Sequence, residues 1–190
     1  MAKHLRKFSL LVLLITGSIP SLAQGHSKDK ALGTLENGIY HNNLTSIELA
    51  ISPNWVIASQ EPSSTPDAQV LKLNDVASNI IGTVWMKRRN AENADLQALM
   101  NDRLDVKAVQ RGNFQRYTYR PDSVQHTMIN GRPALSAVAN YVMAAQKMVE
   151  YLTWVDGEKS RAVFAGRIPP GELANFQTLF DSVIQSAVVP

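Results

Sequence analysis

The sequence predicts an α+β domain, an antiparallel β-sheet laid out as a meander with helices packed on it. Three observations carry that prediction. Runs rich in β-branched and aromatic residues recur along the chain between turn signals. Two hairpin dipeptides, Asn130-Gly131 and Asp156-Gly157, bracket the stretch PALSAVANYVMAAQKMVEYLTW. Outside that bracket, one segment near residue 96 and another that closes the chain place apolar residues at helical spacing.

At the front, Ile47, Leu49 and Ile51 alternate with Ser46, Glu48 and Ala50, the mark of a half-buried strand. Asn42-Asn43 tolerates a turn, which makes Ile39–His41 a short partner strand. Pro53-Asn54 closes the pair and Trp55 opens the next apolar patch. EPSSTPD, residues 61–67, is loop by composition. A weak strand follows at Ala68–Leu73. A stronger one spans Asn79–Lys87, where Ile80, Ile81, Val84 and Trp85 supply β-formers.

The character then changes. Leu96, Leu99, Met100 and Leu104 share one face of a helix, with Asp95, Asp102 and Asp105 away from it. Asn90 or Asn93 is suited to cap that helix, Glu92 and Asp95 favour its positive end, and Gly112 is its expected stop. Phe114–Tyr119 and Ser123–Ile129 read as strands separated by Pro121-Asp122.

Residues 133–154 carry two signals at once. Leu135, Val138, Val142, Ala145, Val149 and Leu152 match a helix stripe, and the alanines favour helix. Val149, Tyr151, Thr153 and Val155 match a strand. The flanking turns decide between them, because a hairpin turn needs a strand on each side. Two strands joined near Ala144-Ala145-Gln146 are therefore expected, with SRAVFAGRI returning as a further strand. Pro169-Pro170-Gly171-Glu172 then starts a helix, and Phe176, Leu179, Phe180 and Val183 form its apolar stripe.

This order of elements resembles the PsbP-like α/β/α sandwich superfamily. The residues that carry the resemblance are GIYHNNLTSIELAISPNWV (38–56), INGRPALSAV (129–138) and VDGEKSRAVFAGRIPPGELANFQTLFDSVIQS (155–186). Members tend to show a short strand, an Asn-containing turn, a strand ending in Pro-x-Trp, and a closing helix leading into Ile-x-Ser. Pro53-Asn54-Trp55 and Ile184-Gln185-Ser186 fit, whereas Leu44-Thr45-Ser46 stands where an aromatic often follows the first turn. The resemblance implies a non-catalytic binding or assembly module with no family active site to transfer.

The first 23 residues read as a secretory signal. Lys3, Arg6 and Lys7 form a positive n-region, Phe8–Ile15 is an apolar run, and Ser21-Leu22-Ala23 offers a cleavage site. The apolar run is about half of what spans a bilayer. With no cysteine after that site, a lipoprotein anchor there is excluded, so an exported, periplasmic or secreted protein is expected, with no transmembrane span once the signal is gone. Residues 24–36 read as a flexible lead-in and residues 37–188 as a single domain. Without the three n-region cations, sixteen Lys and Arg face sixteen Asp and Glu, so the basic footprint of a nucleic-acid binder is missing. The absence of cysteine leaves the core to hold the domain without disulfides.

No nucleophile elbow, phosphate-cradling glycine loop or cysteine nucleophile occurs, so no catalytic residue and no cofactor is assigned. His41, His126 and Glu48 lack metal-ligand spacing, and no metal is assigned either. A pocket lined by the two histidines would point instead to a hydrolase-like enzyme or small-ligand carrier. Lys87, Arg88 and Arg89 form the densest basic cluster, and Arg116 and Arg120 share a strand face near a second one. If the two adjoin, they form a patch for an anionic partner. The commoner use of the first is to keep a strand end soluble and blunt an edge. For Trp55, Trp85 and Trp154 the commoner use is buried packing. The partner, protein or small ligand, and the oligomeric state are not written in the sequence.

Overall fold

A computed structural model describes residues 32–65, 67–78, 80–89, 95–109 and 114–190. The expected signal, most of the lead-in, and Asn79, Asn90, Glu92, Asn93 and Gly112 lie outside the described residues. From Leu32 onward the described chain forms one unit holding two antiparallel sheets and two helices. The small sheet runs β1 (Gly33–Glu36), β2 (Ile39–Asn42) and β3 (Glu48–Ala50) in that order. The large sheet contains β4 (Trp55–Pro62), β5 (Ala68–Asp75), β6 (Ile81–Arg88), β7 (Gln115–Tyr119), β8 (Gln125–Ile129), β9 (Arg132–Met143), β10 (Gln146–Asp156) and β11 (Ser160–Ile168). Its order is β4-β5-β6-β11-β10-β9, and β7 and β8 share the outer edge of β9. Helices α1 (Leu96–Val109) and α2 (Leu173–Gln185) lie on opposite faces of it.

Residues 133–154 are two strands. Asn130-Gly131 makes the first hairpin with both φ angles positive, at 47° and 76°. The turn between β9 and β10 falls on Ala144-Ala145, also at positive φ (48° and 65°). The long register from Met143↔Gln146 to Ala134↔Val155 forces that conformation on two alanines. The expected Asp156-Gly157 hairpin is a longer loop, with Asp156 opposite Arg161 and the Gly157 N–H on the Ser160 carbonyl. Gly157 stands there for room, because a Cβ would come within 2.2 Å of the Pro190 carbonyl oxygen. That carbonyl also accepts from the N–H groups of Lys159 and Ser160, so the SAVVP tail is tied in.

Three expectations need correction. Residues 33–36, read as lead-in, form β1, because Asn37-Gly38 is itself a hairpin turn with φ of 50° and 79°. The loop read at 61–67 starts later, since β4 continues through Pro62; the proline is tolerated because β4 is an edge. The strand read from Ser123 begins at Gln125, after a 3-10 turn at Pro121–Ser123.

Helix α2 seats by close approach. Gly82 on β6 and Gly166 on β11 stand side by side in register. A Cβ on Gly82 would meet the Phe180 ring at 2.5 Å, and one on Gly166 the Phe176 ring at 2.1 Å. The paired glycines thus open a trough for two rings one helical turn apart. Trp55 completes the cluster, 5.3 Å from Phe180 between centroids, and donates its indole N–H to the Leu179 carbonyl at 3.3 Å. Ser186 Oγ accepts from the Ala50 N–H at 2.9 Å. The Pro-x-Trp and Ile-x-Ser signatures are therefore the contacts by which α2 joins the front of the chain.

Candidate functional site

The α1 face of the sheet is built differently. Asp95 caps α1, its Oδ1 accepting from the Ala98 N–H at 2.7 Å. Leu96 and Met100 pack against Leu135, Ala137, Leu152, Trp154 and Ala165. Asp95, Asp102 and Asp105 are exposed as expected. The inward stripe does not stay apolar, however: at the same helical spacing come Arg103 and Lys107.

Beneath them stands Glu150 of β10, wholly buried at 0 % exposure. Arg103 grips its carboxylate with a fork, Nη2 on Oε1 at 2.8 Å and Nε on Oε2 at 3.2 Å. Arg167 donates to Oε1 at 2.9 Å, and the Tyr117 hydroxyl to Oε2 at 2.6 Å. Lys107, 5 % exposed, sets its ammonium 3.5 Å from the centre of the Phe114 ring. Burial alone would raise the Glu150 carboxyl pKa, but the charge and hydrogen bonds of Arg103, with help from Tyr117 and Lys107, pull it down to about 2. Burial lowers Lys107 to about 8 against the attraction of Glu150. Burial also pushes the Tyr117 hydroxyl far up, with the Glu150 charge adding to it. A carboxylate held this low is a permanent anion at neutral pH and not a proton shuttle.

Helix α1 covers the β9–β10 side of this face and leaves a strip of β5, β6 and β11 open. Two cavities lie along the strip, and Trp85 of β6 lines both. Beside α1 is one of about 350 Å³, walled by Trp85, Leu99, Val106, Trp154 and Val163. Toward the other end of β6 is one of about 600 Å³, bordered by Lys72, Ile81, Thr83 and Arg167. Two of these apolar side chains are bare, Val106 at 53 % exposure and Ile81 at 48 %. The first cavity carries Lys87, Arg88, Arg103 and Arg161 against the single acid Asp102. Arg103 is committed to Glu150 and Arg161 to Asp156 (2.9 Å), while Arg88 donates from Nε to the Leu44 carbonyl at 2.8 Å. Among the described residues Lys87 has no carboxylate partner.

The five basic residues singled out in the sequence fall into two groups that do not adjoin. Lys87 pairs with Arg161 and lies level with Asp156, where β10 ends and β9 begins. Arg116 and Arg120 belong to β7 and its end, beyond β11, β10 and β9, and β7 pairs with the far end of β9. The intervening strands separate what sequence proximity to α1 brought together. Arg116 and Arg120 do share a cavity of about 420 Å³, with Lys147 and Asn140; Arg120 donates to Asn140 Oδ1 at 2.9 Å. Arg89 is paired with Asp156 at 3.3 Å. Nor does the first cluster blunt an edge, since β6 lies inside the sheet and Arg88 ties it to the small one. Trp55 and Trp154 are buried, but Trp85 is only partly buried.

His41 and Glu48 face each other across β2 and β3, with Nδ1 3.1 Å from Oε1. His126 stands on β8 of the large sheet, opposite Leu135. Among the described residues no three potential ligands gather around a metal-sized point, and no helix is long and apolar enough to cross a membrane.

The fold is PsbP-like. The solution structure of cyanobacterial PsbP (CyanoP) from Synechocystis superposes with a TM-score of 0.61 at 12 % identity, over 92 % of this chain and 99 % of that one. A protein of unknown function from Pseudomonas aeruginosa, PA94, described as a putative regulator, matches with a TM-score of 0.43 at 13 % identity, over 83 % and 96 % of the two chains. A Bacteroides thetaiotaomicron protein matches with a TM-score of 0.47 at 9 % identity, over 76 % and 45 %. No family model matches the sequence, and no curated protein matches it.

Proposed function

We propose that the chain is an exported, non-catalytic binding module that takes its partner on the open strip of sheet beside α1, centred on Trp85. The observation that carries this reading is the pair of cavities along that strip, where Ile81 and Val106 stand bare and the cavity beside α1 has a basic rim. Val56 and Met128 of the same sheet are as exposed, at 51 % and 59 %, but line neither cavity. Arg103 and Arg161 beside the strip are locked in ion pairs, which suits holding a partner more than transferring protons. Export rests on the first 23 residues.

A photo-crosslinking amino acid at Val106 tests the reading in cells of the source organism, with the same group at exposed Glu172, just before α2, as the comparison. The expected result is one dominant adduct at 106 and none at 172. Equal labelling at both positions, or turnover of esters or peptides by the purified protein, contradicts it.

A further inference from the structure

We infer that the cavity between α1 and β6 takes a small anionic amphiphile, with its acidic head at Lys87 and its apolar body along Trp85 and Val106. The inference rests on the binding reading above and names the occupant. Size comes first. At about 350 Å³ the cavity falls at the lower end of the range that encloses small molecules. A macromolecular partner would want a face of roughly 800 Å².

Chemistry then divides the cavity into two ends. Trp85, Leu99, Val106, Trp154 and Val163 make its apolar wall, with Ser63 and Thr65 beside them. The partly buried ring of Trp85 already carries the Arg103 guanidinium, 5.6 Å from its centre. Lys87 and Arg88 close the other end. Arg161, next to Lys87 across the strand pair, has its charge answered by Asp156. Arg88 spends only its Nε on Leu44, and Lys87 meets no carboxylate among the described residues. Asp102 is the one acid on the wall, and it projects from α1 on the solvent side. Lys87 and Arg88 both lack a carboxylate partner among the described residues, so the polar end draws an anionic head and repels a cationic one.

The test uses the purified protein with dodecanoate and with dodecanol, which shares the chain but lacks the charge. Displacement of 1-anilinonaphthalene-8-sulfonate and the emission of Trp85 report binding. Dodecanoate is expected to bind with 1:1 saturation, at least tenfold tighter than dodecanol. Raising the salt should shrink that preference. Lys87→Gln, a surface change that leaves the core intact, should abolish the preference, whereas Lys147→Gln in the separate Arg116–Arg120 cavity should leave it unchanged. Equal affinity for acid and alcohol, or a preference that survives Lys87→Gln, overturns the inference. So does a preference lost only with Lys147→Gln. Absence of dodecanoate binding together with a protein adduct at position 106 overturns the small-ligand occupant and leaves the binding reading standing. Absence of both overturns the two together.

Discussion

The two faces of the large sheet solve the same problem in opposite ways. On the α2 face, Phe176 and Phe180 sink into a trough made by Gly82 and Gly166, and Trp55 and Phe164 close around them. The main polar tie is the Tyr151 hydroxyl on Asp181 of the helix, at 2.7 Å. On the α1 face, a helix with apolar residues over only part of its inner stripe is held by a fork of Arg103 on buried Glu150. Apolar rings seal a surface in every direction. A salt bridge fixes a helix at one point and leaves the neighbouring strip of sheet uncovered. The α2 face is built for stability, and the α1 face trades coverage for an open groove.

Removing Glu150 should break the comparison hardest. Glu150→Gln leaves buried Lys107 and largely buried Arg103 without their carboxylate and frees exposed Arg167, and a loss of about 3–5 kcal/mol in urea unfolding is expected. Adding Lys107→Met should recover part of it by removing one stranded charge. Phe180→Ala tests the other face at a similar scale, about 3–5 kcal/mol, through an unfilled trough. If Glu150→Gln costs less than about 1 kcal/mol, the ionic pin does not hold α1.

Acid should loosen only the α1 face, because burial raises the Asp181 carboxyl on α2 and its protonation does not weaken that face. The Glu150 carboxyl sits at about 2 in the folded chain against an ordinary 4.5, so its contribution is complete above pH 4.5 and is lost as pH falls toward 2. The shift corresponds to about 3 kcal/mol. Hydrogen exchange should show α1 loosening across that window before α2. Simultaneous release of both helices would argue against independent anchoring.

Gly166→Ala presses a methyl into the Phe176 ring and should cost about 1–3 kcal/mol. Smallest of all, Ala145→Gly relieves a left-handed alanine in the β9–β10 turn and should raise stability by about 1 kcal/mol. A thermal shift of the opposite sign would mean the turn is not strained as described.

The α2 face was legible in the sequence because its signals are local. The Phe176–Val183 stripe, Pro53-Asn54-Trp55 and the turn at Asn130-Gly131 each state their role within a few residues. The same Asn-Gly rule applied at 37–38 would have found β1, which a polar neighbourhood concealed. Ala144-Ala145 offers no turn chemistry at all; the register of its strands sets that bend. The α1 face was hidden for a different reason. Glu150, Arg103, Arg167 and Tyr117 are ordinary polar residues on four separate elements, and only tertiary pairing makes them one cluster. One signal was available: Arg103 and Lys107 continue the Leu96–Met100 stripe, so a cation on the inner face implied a buried anion beneath it. The basic residues failed as one patch because the distance between β6 and β7 depends on strand order, which spacing does not encode.

Iodide quenching of single-tryptophan variants tests the contrast between the faces most directly. With Trp85 as the sole tryptophan (W55F and W154F), strong quenching is expected, greater for iodide than for caesium because of the basic rim. With Trp55 alone (W85F and W154F), little quenching by either ion is expected. Trp85 shielded as fully as Trp55 would contradict the account, since the sheet beside α1 would then be closed.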